Sequence, residues 1–238
     1  MFAAISPTLG TQPFNDWFAP DTTQRHPLGV EITAVDPYWG QGTFMYIKSA
    51  DAILKGSLVM YDEAFNGALL PSTAGQGFPF GVAMAPMASG TYGWVQTKGR
   101  AVYKTNATVA ADTAIAVAAA GIAGTLANGK QLLGVRNRIA ATGTKTVTAN
   151  TVNGTAVLYC PAGYDGFFLG MALSGTGIPA STVVAALDPD GKRIYTGSAI
   201  GTTGDKNSTA TGSITLTGTY TGYGSGVINT PHAQGQVV

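Results

Sequence analysis

Charge is what this sequence has least of. Asp, Glu, Lys and Arg together make up 11% of its 238 residues, against about a quarter in ordinary soluble domains. Cysteine is next: the single Cys160 excludes an internal disulfide and a cysteine-based metal site. Residue 160 stands before Pro161 at a predicted strand end, where a small buried thiol is expected. Histidine is almost as scarce, with only His26 and His232, and neither lies near a Ser or Cys in a nucleophile-elbow context. Long apolar runs are also missing. The most apolar stretch, Thr113–Ala127, is rich in Ala and Gly and falls short of the ~20 residues that span a bilayer. The N-terminus shows no basic segment followed by an apolar one, so no secretory signal is expected, and synthesis in a reducing cytoplasm is.

Glycine (33 residues), Thr, Ala and Ser stand where the charges would be, and 45% of the chain is apolar. That is too hydrophobic for a disordered chain. A surface made polar by hydroxyls suits a mainly β protein whose faces are covered by neighbours. Net charge is +1 but unevenly spread. Lys98, Arg100, Lys104, Lys130, Arg136, Arg138 and Lys145 crowd residues 98–145 against Asp112 alone. The bases are strung over nearly fifty residues with only Tyr103 among them. Contact with an acidic protein neighbour therefore reads better than nucleic-acid binding.

Residues 1–27 carry Pro7, Pro13, Pro20 and Pro27 with Phe14, Trp17, Phe18 and His26 between them. Prolines at this density oppose both ladders and helices, so an extended N-terminal arm is expected. Its aromatics seek burial on the chain's own domain or on a neighbour. Strand signals follow at Leu28–Ala34, Gly42–Ser49 and Leu58–Tyr61, with Lys55-Gly56 as a turn and Asn66-Gly67 as a hairpin turn before Leu69-Leu70. Phe80–Lys104 reads as a strand, a Pro-Met-Ala-Ser-Gly turn and a long strand kinked at Gly99. Val109–Ala120 fits helix or strand. Asn128-Gly129 turns into a predicted strand over Lys130–Ile139.

From Tyr92 the run Tyr92-Gly-Trp-Val-Gln-Thr-Lys-Gly-Arg-Ala-Val is similar to a glycine-bearing strand of tailed-phage capsid decoration, or cement, proteins. Gly56-Ser-Leu-Val, Phe80-Gly-Val-Ala and Leu126-Ala-Asn-Gly-Lys-Gln-Leu-Leu-Gly-Val-Arg resemble other parts of that family in the same order, across about residues 28–143. The resemblance implies a small β-barrel of β-tulip or SH3-like type. It also implies a homotrimer that binds the major capsid protein on the outer surface of an icosahedral phage head. On this reading the virion is the location, and neither nucleic acid nor membrane is a partner. Phe14, Trp17 and Phe18 are then the expected arm anchors, and Arg100, Arg136 and Arg138 the expected polar contacts.

Beyond Gly143 the composition shifts: of the 90 residues from Ala141 to Thr230, 18 are Thr and eight are charged. Strand signals at Thr144–Val152, Thr155–Tyr159, Ala185–Leu187, Arg193–Tyr195 and Ser208–Gly218 indicate a small β-sandwich over 144–222. Within it Gly170-Met-Ala-Leu-Ser-Gly-Thr-Gly-Ile-Pro179 resembles add-on domains of phage structural proteins. Residues 223–238 read as a tail or a strand returning to the barrel. The alternative function is a glycan- or host-surface-binding module, with this Thr-rich domain or an aromatic platform of Trp and Tyr as the recogniser.

Motifs for chemistry are weak. Gly175-Thr-Gly177-Ile-Pro-Ala180 fits a nucleotide fingerprint by letter, but Pro179 and the β-branched residues 182–184 oppose the helix that must follow. Asp188-Pro-Asp190-Gly191 reads as a turn, lacking the later ligands of a calcium loop. Asn106, Asn153 and Asn207 begin glycosylation triplets of a kind that arises by chance in Thr-rich sequence. No enzyme, cofactor or metal site is expected.

Overall fold

A computed structural model describes residues 3–4, 19–36, 39–188 and 190–234, and among them every regular element is a strand. The chain is mainly β, as its composition and alternation imply. The strands are β1 (Ala3–Ala4), β2 (Glu31–Asp36), β3 (Gly40–Ser49), β4 (Leu58–Tyr61), β5 (Asn66–Leu69) and β6 (Phe80–Ala83). Next come β7 (Tyr92–Lys104), β8 (Ile115–Ala119), β9 (Ile122–Thr125), β10 (Leu132–Val135), β11 (Thr142–Thr151) and β12 (Val157–Tyr159). The last are β13 (Ala172–Ser174), β14 (Thr182–Leu187), β15 (Arg193–Gly197), β16 (Gly212–Thr221) and β17 (Tyr223–Ala233). Two compact units result. The smaller runs from Thr142 to Thr221 and also takes Asp36, and the larger takes described residues 3–35, 39–141 and 222–234.

The larger unit is organised around β7. Over Tyr92–Gly99 its edge pairs with β3, and from Lys98 to Lys104 it pairs with β17. At Lys98 and Gly99 it pairs with both, on opposite edges, and Gly99 marks the end of the β3 pairing. Its φ is +96°, and a β-carbon there would sit 2.3 Å from the Gln41 carbonyl oxygen, so only glycine fits. The pairings β3–β5, β5–β4, β4–β6, β6–β7 and β7–β3 run in a circuit, while β1, β2, β17 and β10 extend the same sheet.

Alternation along β3 serves two cores at once. Phe44 and Tyr46 join Ile32, Met84 and Trp94 on one side, and Met45 and Ile47 join Ile53, Val59, Met87 and Val95 on the other. A third cluster, with Leu58, Phe80, Tyr103, Ile115, Leu132 and Ile228, draws β4, β6, β7, β8, β10 and β17 together. Within the ambiguous stretch 109–120 the regular element is a strand, Ile115–Ala119, preceded by turn and loop: its Ile115 and Val117 are buried and pair across to β9, and burial of β-branched side chains outweighs the helix preference of the alanines.

Three expectations need correction. The hairpin turn is not Asn66-Gly67 but Asp62–Phe65, and Asn66 and Gly67 already belong to β5. Gly67 is required for close approach, since a β-carbon there would meet Ile47 Cδ1 at 2.3 Å. The strand expected over 130–139 is only Leu132–Val135, because Gly134 introduces a register shift against β17 and Asn137 turns into the core. The Thr-rich segment is not a sandwich. Its six strands close as a barrel in the order β11-β12-β15-β14-β13-β16.

Closure follows from β16, which pairs with β11 over ten residues and with β13 on its other edge. Short alternating strands give the same pattern in barrel and sandwich, so the sequence signal does not separate them. Leu158, Phe167, Met171, Val184, Ile194 and Leu216 are buried in this unit. On the outward face Thr144, Thr146 and Thr148 stand opposite Thr219, Thr217 and Thr215.

Candidate interaction surface

The N-terminal anchors Phe14, Trp17 and Phe18 lie outside the described residues. The segment that follows them is clamped onto the larger unit. Asp21 exchanges backbone hydrogen bonds with Tyr92 at 2.8 and 2.9 Å. Its carboxylate accepts the Tyr46 hydroxyl at 2.7 Å and pairs with Arg25 at 3.0 Å. His26 is buried edge-on to Tyr46, with ring centroids 5.0 Å apart, and beside Trp94 at 5.4 Å. The sequence offers the aromatic residues but nothing that pairs residue 26 with 46 and 94. Burial lowers the His26 pKa from its ordinary 6.5; nearby Asp21 opposes the shift, and Arg25 adds to it.

That shift has a definite sign. A histidine kept neutral in the fold binds fewer protons than it does unfolded, so stability rises with pH. The contribution is complete above pH 6.5 and is lost as pH falls from there through the lower folded pKa. Thermal melts between pH 7.5 and 5 are expected to show a falling midpoint, and His26→Gln is expected to flatten that slope. An unchanged slope in the variant would exclude His26 as its source.

Arg100 and the Arg136, Arg138 pair, 36 and 38 positions further on in sequence, converge on β17. Arg100 on β7 pairs with Val227. On the far side Val135 pairs with Ile228 and Arg138 donates its N–H to the Ser225 carbonyl at 2.7 Å, which sets Arg136 alongside Val227. The backbones approach closely here: a β-carbon on Gly226 would collide with the Arg136 carbonyl oxygen. Val227 itself is 62% exposed. The result is an apolar side chain on a strand flanked by basic ones.

Each arginine is held. The Arg100 guanidinium lies over the Trp39 ring, 4.6 Å from its centroid, a contact of about 0.5–1 kcal/mol. Arg136 donates to the Asp112 carbonyl oxygen, and Arg138 pairs with the Asp112 carboxylate at 2.9 Å. Between them Asn137 is fully buried. It accepts the Tyr103 hydroxyl at 3.1 Å and donates to the carbonyls of Ala110 at 2.8 Å and Ile139 at 2.5 Å. A buried asparagine thus pins the turn that carries two exposed arginines.

The turn after β4 builds a second feature. The Asp62 carboxylate accepts the N–H groups of Ala64 at 2.9 Å and Asn66 at 2.8 Å. These bonds from Asn66, backbone first and then side chain, hold its pKa below the ordinary carboxylate value. Tyr61, Glu63, Phe65, Phe78 and Pro79 complete an open groove of about 810 Å³ around it.

In the smaller unit the Asp188 turn is an ion-paired corner. Arg193 reaches Asp188 at 3.1 Å and Asp190 at 3.2 Å, and the Tyr195 hydroxyl donates to Asp188 at 3.1 Å. Residues 175–181 form turns and loop, with no helix to receive a phosphate. Cys160 is fully buried, and burial pushes its thiol up to about 11, so it packs as a small apolar side chain. Among the described residues no three His, Cys, Asp or Glu side chains gather as metal ligands, and no helix is long and apolar enough to cross a membrane. Comparison with known proteins finds no matching family model, curated protein or solved structure.

Proposed function

We propose that the chain is a capsid decoration protein: a non-enzymatic virion component that binds the outside of an icosahedral phage head and reinforces contacts between major capsid protein subunits. The observation that carries the reading is the convergence of Arg100, Arg136 and Arg138 around the exposed Val227. A basic, rigidly held patch with an apolar centre suits docking on an acidic protein surface. The mechanism is mass action, in which a ligand that binds only the assembled shell stabilises it against opening. A homotrimer would match local three-fold positions of the lattice and multiply weak contacts. The arm with Phe14, Trp17 and Phe18 would reach the neighbouring subunit.

The first test is the copy number of this chain against the major shell protein, by quantitative mass spectrometry of purified particles from its source. Near-stoichiometric copies are expected; a handful, or none, would move the reading to a fibre, a vertex or a free glycan-binding protein. Charge reversal tests the patch itself. Arg100→Glu with Arg138→Glu is expected to weaken co-sedimentation with shells by about tenfold or more at low salt, with a smaller difference at high salt. Equal binding by wild type and the double variant at low salt would remove the patch from the interface.

A further inference from the structure

The hairpin joining β4 to β5 carries a residue that backbone energetics oppose. Phe65 donates its N–H to the Asp62 carbonyl at 3.0 Å and sits at φ +60°. A turn followed by such a left-handed residue ordinarily takes Gly or Asn, because a β-carbon there crowds the following carbonyl oxygen. The turn does not need the ring for its shape, since the Asp62 carboxylate already holds it through Ala64 and Asn66. The ring lies against Gly29 and packs with Tyr61 on the core cluster of Ile47, Val59 and Val95, and it also lines the groove, together with Tyr61, Pro79 and a Phe78 that is 41% exposed. Three aromatic side chains lining an open cleft offer a surface for binding.

Charge defines the class of occupant. Asp62 and Glu63 line the same groove. Burial raises the Tyr61 pKa, and the negative charge of Glu31 raises it further. Among the described residues the ion pairs formed by Arg and Lys involve Asp21, Asp112, Asp188 and Asp190, and none of these three acids. We propose that this groove docks a cationic side chain, arginine or lysine, presented by a loop of a partner protein. The rings offer their negative faces to the cation, the carboxylates supply complementary charge, and the apolar walls cover the aliphatic stem. The inference rests on the decoration reading only for the partner's identity, which it takes to be the shell protein.

The test titrates the full-length chain, labelled with nitrogen-15, with acetyl-Ala-Arg-Ala-amide. Acetyl-Ala-Gln-Ala-amide serves as the neutral control and choline chloride as the small-cation control. The arginine peptide is expected to shift the amide signals of Glu63, Ala64, Phe65 and Phe78 saturably, and the glutamine peptide is not. Phe65→Gly keeps a residue suited to φ +60° and is expected to weaken binding at least about fivefold. Glu63→Gln, an exposed and isosteric change, is expected to weaken it about threefold and to reduce its salt dependence. Equal shifts from the neutral peptide, shifts confined to other residues, or indifference to both variants would overturn the proposal. Choline binding as tightly as the peptide would also overturn it, in favour of a small-cation site. Shells then separate the two readings. If wild type and Phe65→Gly bind shells equally while the peptide affinity is lost, the shell is not the partner of this groove and the decoration reading stands. If wild type ignores shells but keeps the peptide, the groove stands and the decoration reading falls.

Discussion

Replacing Asn137 with alanine is expected to lower the stability of the larger unit by about 3 kcal/mol, which for a chain of this size moves the melting midpoint down by roughly 6–12 °C. The side chain is fully buried, and its loss strands the Tyr103 hydroxyl and the carbonyls of Ala110 and Ile139 in the interior. An unsatisfied buried polar group costs about 1–3 kcal/mol. Tyr103→Phe removes one donor from the same network and is expected to cost about 1 kcal/mol. Because the two residues share a bond, the double variant is expected to lose less than the sum of the singles. Differential scanning calorimetry on the four proteins measures this directly, and strict additivity would show that the Tyr103–Asn137 bond contributes nothing. Shell binding separates the two singles: Asn137→Ala frees the segment bearing Arg136 and Arg138, whereas Tyr103→Phe leaves two of its three anchors. Only the first is expected to impair docking.

Asn137 also shows where sequence reading stops. Between two arginines, and in a stretch with Leu132, Leu133 and Val135, it looks like the outward residue of a continuing strand. Its inward position depends on a register shift at Gly134 and on a hydroxyl 34 residues earlier, neither of which leaves a local pattern. The β7 strand is the opposite case. Its length, its two-residue alternation and the kink at Gly99 are all legible, because each follows from covalent geometry and from burial on both faces. Asn66-Gly67 misleads for a nameable reason: the glycine answers to Ile47 across the sheet, and the left-handed position falls on Phe65 instead. The arginines were legible as a basic block but not as a patch, since β17, which brings them together, comes from the far end of the chain.

Removing residues 142–221 is the change with the sharpest consequence for function. Residues 142–221 form one continuous insertion in the larger unit: Ala141 runs into the smaller barrel and Gly222 returns from it. These two residues are already joined by a hydrogen bond of 2.7 Å from the Gly222 N–H to the Ala141 carbonyl, so an Asn-Gly linker can close the gap as a tight turn. All three clusters of the larger unit draw only on residues from 28 to 141 and from 228 to 233. The shortened chain is therefore expected to melt cooperatively. On the decoration reading it keeps the arginine patch and is expected to bind shells within about threefold of the full chain, a difference of about 0.7 kcal/mol. A shortened protein that folds yet loses binding a hundredfold, about 2.7 kcal/mol, would place recognition in the Thr-rich barrel and favour the glycan- or host-surface-binding alternative. The Arg100→Glu, Arg138→Glu pair then serves as the cross-check. If the larger unit is the anchor, charge reversal weakens the full and shortened chains alike. If the smaller barrel is the recogniser, charge reversal leaves the full chain untouched.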